Sequence, residues 1–194
     1  GEGWEEKSIA DITTKLGDGL HGTPKYSEDG EYFFINGNNL NDGVIEFKER
    51  TKRVSEIEFD KYKKTLNDRT ILVSINGTLG NVAFYNNEKV VLGKSACYFN
   101  LNEDINKEYV KFVIESQLFQ DYAEKNATGA TIKNVSLKSM RSFLLPIAPT
   151  HLQSKIVSEL NQIKLSYISL DKIYKAKLAA LDELKKSILQ KTFS

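Results

Sequence analysis

HLQSKIVSELNQIKLSYISLDKIYKAKLAALDELKKSILQK, residues 151–191, contains neither proline nor glycine. Apolar residues return through it at Ile156, Leu160, Ile163, Tyr167, Leu170, Tyr174, Leu181, Leu184 and Ile188, and Lys177 fills the one position of the series taken by a charge. Steps that alternate four and three make a heptad seam, the period of helices that wrap around one another. At 1.5 Å per residue the segment predicts a helix roughly 60 Å long, too long to lie wholly against the body that precedes it. An amphipathic helix that overhangs its own domain needs a second surface for its apolar stripe. The stretch is therefore read as a spacer and dimerisation arm; the competing reading is a long amphipathic helix packed on its own domain.

Working outward, the 194 residues divide into a body over 1–149 and the arm over 150–194. A hydrophobic fraction of 40% with 10% aromatics is enough to bury a core. The single cysteine, Cys97, offers no disulfide framework and suits a reducing, cytoplasmic setting. No apolar run approaches the length of a membrane span. Net charge is +1, with eight lysines and four acids in residues 151–194 and 19 basic and 22 acidic residues in 1–150. A body with a net charge of −3 is not a generic nucleic-acid sponge. Affinity for DNA would have to come from a local patch. The best candidate runs from residue 125 to 141, with Lys125, Lys133, Lys138 and Arg141 and no acid.

The body reads as α+β, with a mostly antiparallel sheet and flanking helices. Residues 4–16 predict one opening element, strand or helix. Gly17-Asp18-Gly19-Leu20-His21-Gly22-Thr23-Pro24 is a tight loop, rich in the two residues that punctuate regular structure. Tyr32-Phe33-Phe34-Ile35 and residues 43–47 predict strands, and 55–64 a short helix. The β-branched run 70–75 leads through Asn76-Gly77-Thr78-Leu79-Gly80 into a strand over 81–85, followed by strands at 89–92 and 96–99. The period then changes. Residues 106–125 predict one helix with Asn106 as N-cap, 126–134 an exposed loop, 136–140 a capped helical turn and 143–145 a last strand. Pro146 and Pro149 stiffen the exit, and Thr150 with Gln153 has the spacing of a capping box.

Catalytic signatures are missing from these residues. There is no Asp/Asn-Pro-Pro-aromatic loop, no glycine turn opening a helix after a strand, and no Walker loop, since Glu88 stands where Gly93-Lys94-Ser95 would need an upstream glycine. Two histidines and one cysteine give poor support to a zinc site or a nucleophile–base pair. A binding module is the better reading than an enzyme.

The glycine loop continued to Lys25-Tyr26, the Asn76 to Gly80 turn, residues 129–136, Leu145-Pro146-Ile147-Ala148-Pro149 running into residues 153–157, and the closing Leu184-Lys185-Lys186-Ser187-Ile188-Leu189-Gln190 together resemble the specificity subunit of Type I restriction-modification systems. The resemblance implies a non-catalytic subunit in which two target-recognition domains, each followed by a long helix, read the halves of a split double-stranded DNA sequence. The helices pair antiparallel and hold the domains apart. It also implies methyltransferase (M) and restriction (R) partner subunits, which carry S-adenosylmethionine, ATP and Mg, with no cofactor on this chain. Two departures stand out. One recognition domain and one helix make a half-length form, a natural half-subunit or a fragment, which points to a homodimer through the helix. Ala148-Pro149 and Leu152-Gln153 stand where the family has Pro-Pro and Glu-Gln.

Within this reading the DNA-facing candidates are Asp18, Gly19, His21, Gly22 and Thr23 in the glycine loop, Asn76 and Thr78 in the second turn, and Thr131 in the small polar loop. Lys94, Lys125, Lys133 and Arg141 are candidates for phosphate or guanine contacts. The dimerisation residues are the heptad series, with Lys177 as a register device. The alternative function is an interaction module that dimerises through its C-terminal helix and does not bind DNA.

Overall fold

Residues 70–74 are the most apolar β-branched run of the body, and they form a strand buried at every position. In the computed structural model, which describes residues 3–193, this strand lies inside a four-stranded antiparallel sheet. The strands in chain order are β1 (Glu5–Ser8), β2 (Thr13–Asp18), β3 (Tyr32–Ile35), β4 (Leu40–Asn41), β5 (Val44–Ile45), β6 (Arg53–Val54), β7 (Thr70–Ser74), β8 (Val82–Phe84), β9 (Val90–Leu92), β10 (Ala96–Leu101), β11 (Ala127–Thr128), β12 (Asn134–Val135) and β13 (Leu144–Ile147). The helices are α1 (Glu56–Tyr62), α2 (Lys107–Glu115), α3 (Gln117–Asn126), α4 (Leu137–Ser142) and α5 (Thr150–Phe193).

The central sheet has the order β2-β10-β7-β8. Successive strand residues point to opposite faces. Leu72, Ala83, Ala96 and Tyr98 join a core cluster with Ile35, Leu40 and Ile45 on one face. The alternate residues Ile71, Val73, Cys97 and Phe99 are equally buried, so the sheet is covered on both sides. Phe119 of α3 meets Phe143 edge-on at 5.1 Å in the remaining core.

The β structure is not one sheet. A second sheet, β6-β3-β9, pairs β3 with β9 in parallel, and β1 closes against β13 antiparallel. Pro146 sits within β13 opposite Glu6, which a two-stranded pair tolerates because one side of each strand has no ladder to complete. Its carbonyl accepts the Tyr109 hydroxyl at 2.7 Å.

Several expectations are corrected. The opening segment is two strands in different sheets, parted by a turn in which the Ser8 amide donates to Asp11 Oδ2 at 2.9 Å. The strand expected over 43–47 shrinks to Val44–Ile45. The single helix expected over 106–125 breaks at Ser116, whose backbone is extended (φ −78°, ψ 164°). Its hydroxyl and amide both turn back to the Val113 carbonyl, at 2.6 and 3.2 Å, competing with helix continuation. The loop over 126–134 is a short hairpin, β11–β12. Asn106 and Ser136 cap their helices as expected, and Ser55 caps α1 as well.

Gln153 does not close a capping box. It is buried, accepts the Asn106 amide at 2.8 Å and donates to the Ala148 carbonyl at 2.9 Å. The first turn of α5 is thereby bonded to the start of α2 and the end of β13.

The chain forms two compact units, 1–153 and 154–194; residues 1, 2 and 194 lie outside the described residues. The second unit is the rest of α5, a helix of 44 residues in all, or about 66 Å. Its apolar residues at Ile163, Tyr167, Leu170, Tyr174, Leu181, Leu184 and Ile188 are 51–68% exposed, and Lys177 in the same series is exposed too. Ile173 and Leu178 flank the seam and are also exposed, which widens the stripe.

Candidate nucleic-acid interface

The register of the central sheet decides which loops meet. Cys97 opposes Asp18 and Ala96 opposes Ser74, so β2 and β7 end where β10 begins. Three loops leave the sheet at that edge: 19–31, 75–81 and 93–95. The β11–β12 hairpin joins them. The Gly77 amide donates to the Lys133 carbonyl and the Val135 amide to the Ile75 carbonyl, both at 2.9 Å, and Asn76 Nδ2 reaches Asn134 Oδ1 at 3.2 Å. Asp18, His21, Asn76, Lys94, Asn134 and Ser136 are among the residues that line the resulting cavity of about 350 Å³.

Local chemistry holds these loops in shape. A Cβ on Gly19 would stand 2.2 Å from the Leu92 carbonyl oxygen, so only glycine lets the loop run this close to β9. Gly77 adopts φ +77° in open space, the left-handed conformation its turn needs. The Ser74 hydroxyl donates to the Thr78 carbonyl across that turn. Lys94 stands exposed on a turn pinned by Ser95, whose hydroxyl accepts from the Gly37 amide at 2.8 Å and donates to Asn36 Oδ1 at 3.0 Å. His21 Nε2 lies 2.6 Å from Asp18 Oδ2, fastening the glycine loop to the end of β2.

The fold thus brings Asp18, His21, Asn76 and Lys94 to one cavity although they are spread over 77 positions of the chain. Gly22, Thr23 and Thr78 are exposed on the same loops, and Thr131 is exposed at the hairpin tip. Gly19 is buried; its part is to allow the close approach, and it presents no surface. Lys133 is ion-paired with Glu124 at 2.7 Å. Arg141 Nη2 donates to the Leu16 carbonyl at 3.2 Å and ties α4 to β2. Lys125 is exposed, with no ion pair among the described residues. The acid-free run 125–141 is therefore not a continuous field of free cations: an acid one residue outside it neutralises one, and a backbone carbonyl holds another.

Nucleophilic chemistry finds no support in this site. Cys97 is fully buried beside Asp18; burial, with the Asp18 charge added, pushes its thiol well up, and Arg141 and a backbone hydrogen bond only partly offset this. No group of His, Cys, Asp or Glu among the described residues could hold a metal ion. No helix among them is long and apolar enough to cross a membrane.

Sequence reading passed over residues 48–53, which lie near the glycine loop at Tyr26. Their charged letters, Lys48, Glu49, Arg50, Lys52 and Arg53, look like an ordinary solvated run, and only the fold places their cations on two clefts that share Arg50 and Lys52.

One sheet edge thus gathers a glycine loop, an Asn-Gly turn and an exposed lysine. The Type I restriction modification DNA specificity domain matches residues 1–180, and the chain belongs to that family. No curated protein matches the chain. Among solved structures, the Type I restriction-modification S subunit from M. genitalium is 22% identical, with a TM-score of 0.56 over 83% of this chain and 39% of that one. A chain from a study of complex assembly and conformational transition in the type I R-M system is 17% identical, with a TM-score of 0.75 over 98% and 46%. The HsdS subunit from Thermoanaerobacter tengcongensis is 15% identical, with a TM-score of 0.65 over 89% and 40%. At these identities the likeness is one of fold. The chain spans less than half the length of each of the three.

Proposed function

We propose that this chain reads one half of a bipartite double-stranded DNA target as the specificity component of a Type I restriction-modification complex, and that methylation and cleavage are done by partner M and R subunits. The convergence of Asp18, His21, Asn76 and Lys94 on one cavity at the edge of the central sheet carries the reading. Asparagine and histidine offer donors and acceptors to base edges, and an unpaired lysine suits a phosphate or a guanine. α5 pairs antiparallel with the α5 of a second copy as a coiled coil, so that a two-fold axis relates two reading heads. What supports the pairing is the exposed heptad series. The helix then sets the spacer between half-sites.

The test of DNA reading is retardation of a duplex with a randomised interior by the chain with its methyltransferase partner at low salt, followed by sequencing of the bound fraction. An enriched, interrupted palindrome is expected. Binding with no sequence enrichment would overturn half-site reading, and no binding at all would favour the alternative of an interaction module without DNA, to which the net −3 charge of residues 1–150 lends some weight. Four residues inserted into α5, about 6 Å of helix, should lengthen the enriched spacer by one or two base pairs at roughly 3.4 Å each. An unchanged spacer removes the ruler.

A further inference from the structure

A second cleft lies against the far end of the glycine loop. Tyr26, Asn38, Lys48, Arg50 and Lys52 are among its lining residues. Its neighbour on the outer side adds Arg53, with Glu28 and Glu49 as the carboxylates. Four cations against two acids make this a local positive basin on a body whose net charge is negative.

The cations differ in how they are held. Lys48 Nζ donates to the Asn38 carbonyl at 2.5 Å, and the Arg53 guanidinium stacks on Phe33 at 4.9 Å. Lys52 lies 5.9 Å from the centre of the Tyr26 ring, and Arg50 has no ion pair among the described residues. Tyr26 itself is 47% exposed. The floor is rigid: Asn39 Nδ2 donates to the Glu46 carbonyl at 2.9 Å and to Thr51 at 3.2 Å, and its Oδ1 accepts the Asn36 amide at 3.0 Å. Asn36 also accepts from Ser95, next to Lys94. This basin and the Asp18–Lys94 cavity are thus joined twice, along the chain from His21 to Tyr26 and through the Asn36–Ser95 hydrogen bond.

We infer that Arg50 and Lys52 form a phosphate clamp on the same duplex, one that positions the DNA without reading it. The inference rests on the DNA-reading function proposed above. An exposed arginine and a lysine beside an aromatic ring, unneutralised and on a rigid floor, suit a backbone anion, whereas the floor's amides are spent within the protein and are not offered to bases.

The experiment measures affinity for a duplex with a randomised interior against salt concentration, with the full chain and its methyltransferase partner. Arg50→Ala and Lys52→Ala should each flatten the log–log salt slope by about 0.9, and the double variant by about 1.8. The enriched sequence should stay that of the wild type, and Arg50→Lys should retain the slope. Lys63→Ala, at a lysine paired with Asp60 at 2.8 Å and outside both clefts, serves as the control and should leave the slope unchanged. A wild-type slope in both single variants overturns the clamp while leaving DNA reading intact. A changed sequence preference overturns the division between clamping and reading. Failure of the wild-type complex to bind any duplex overturns the function on which both depend.

Discussion

The two units of this chain use apolar residues in opposite ways. In residues 3–153 the central sheet buries most of its apolar side chains, Ile71, Leu72, Val73 and Phe99 completely. In the second unit, residues with the same chemistry stay more than half exposed at Ile163, Tyr167, Leu170, Tyr174, Leu181, Leu184 and Ile188. A body that buries its own core can fold by itself. A helix whose apolar stripe is in water gains most of its stability from packing still to be made. The contrast is what the proposed pairing rests on: if two copies pair, the arm's sequence specifies an association as much as a local fold.

The largest effect should come from breaking the proposed pairing. Leu170→Asp with Leu181→Asp places charges on the seam. Sedimentation should then show a monomer, while the melting transition of the body stays in place; a variant that remains a dimer removes the heptad pairing. In the body, Leu72→Ala opens a cavity in a fully buried position and should cost about 2–5 kcal/mol in chemical denaturation. A loss under about 1 kcal/mol would mean that the sheet face is less tightly packed than its burial implies.

The junction sharpens the comparison. Gln153→Ala leaves the Asn106 amide and the Ala148 carbonyl without their side-chain partner. Unsatisfied buried groups cost about 1–3 kcal/mol each, so the body should lose stability although the substitution lies in the arm's first turn. No change in the body's denaturation midpoint would show that this tie is dispensable. The smallest effect is expected at Lys177, the charge on the seam. Lys177→Leu should strengthen pairing by about 1 kcal/mol and loosen partner choice, since polar seam residues trade stability for register. A clear fall in dimer stability argues against that role.

Much of the local structure was legible. The run Thr70–Ser74 reads as a strand because β-branched residues suit a pleated, buried surface. Asn106 and Ser136 announce their helices because a side-chain oxygen can take a free amide of the first turn. The break at Ser116 was hidden, because its flanking apolar spacing is that of an unbroken helix and the interruption rests on a hydroxyl choosing the Val113 carbonyl. For the candidate site, residue types were legible and company was not. Asn76 and Lys94 stood out by their turns, but the pairing of Lys133 with Glu124 at 2.7 Å, and the company of Arg50 and Lys52 with Tyr26, became visible only in the fold.

The chain's own letters determined the long uninterrupted helix, its seam and most strands, because period and propensity act over a few residues. Only the tertiary structure decided that β1 closes on β13 and that β3 runs parallel to β9. It alone decided that loops 19–31, 75–81 and 93–95 share one rim, and that Gln153 is a bolt and not a cap. Those outcomes depend on contacts between residues tens of positions apart. They are set by which buried faces and hydrogen-bonding groups can be satisfied together, a condition no local window of sequence contains.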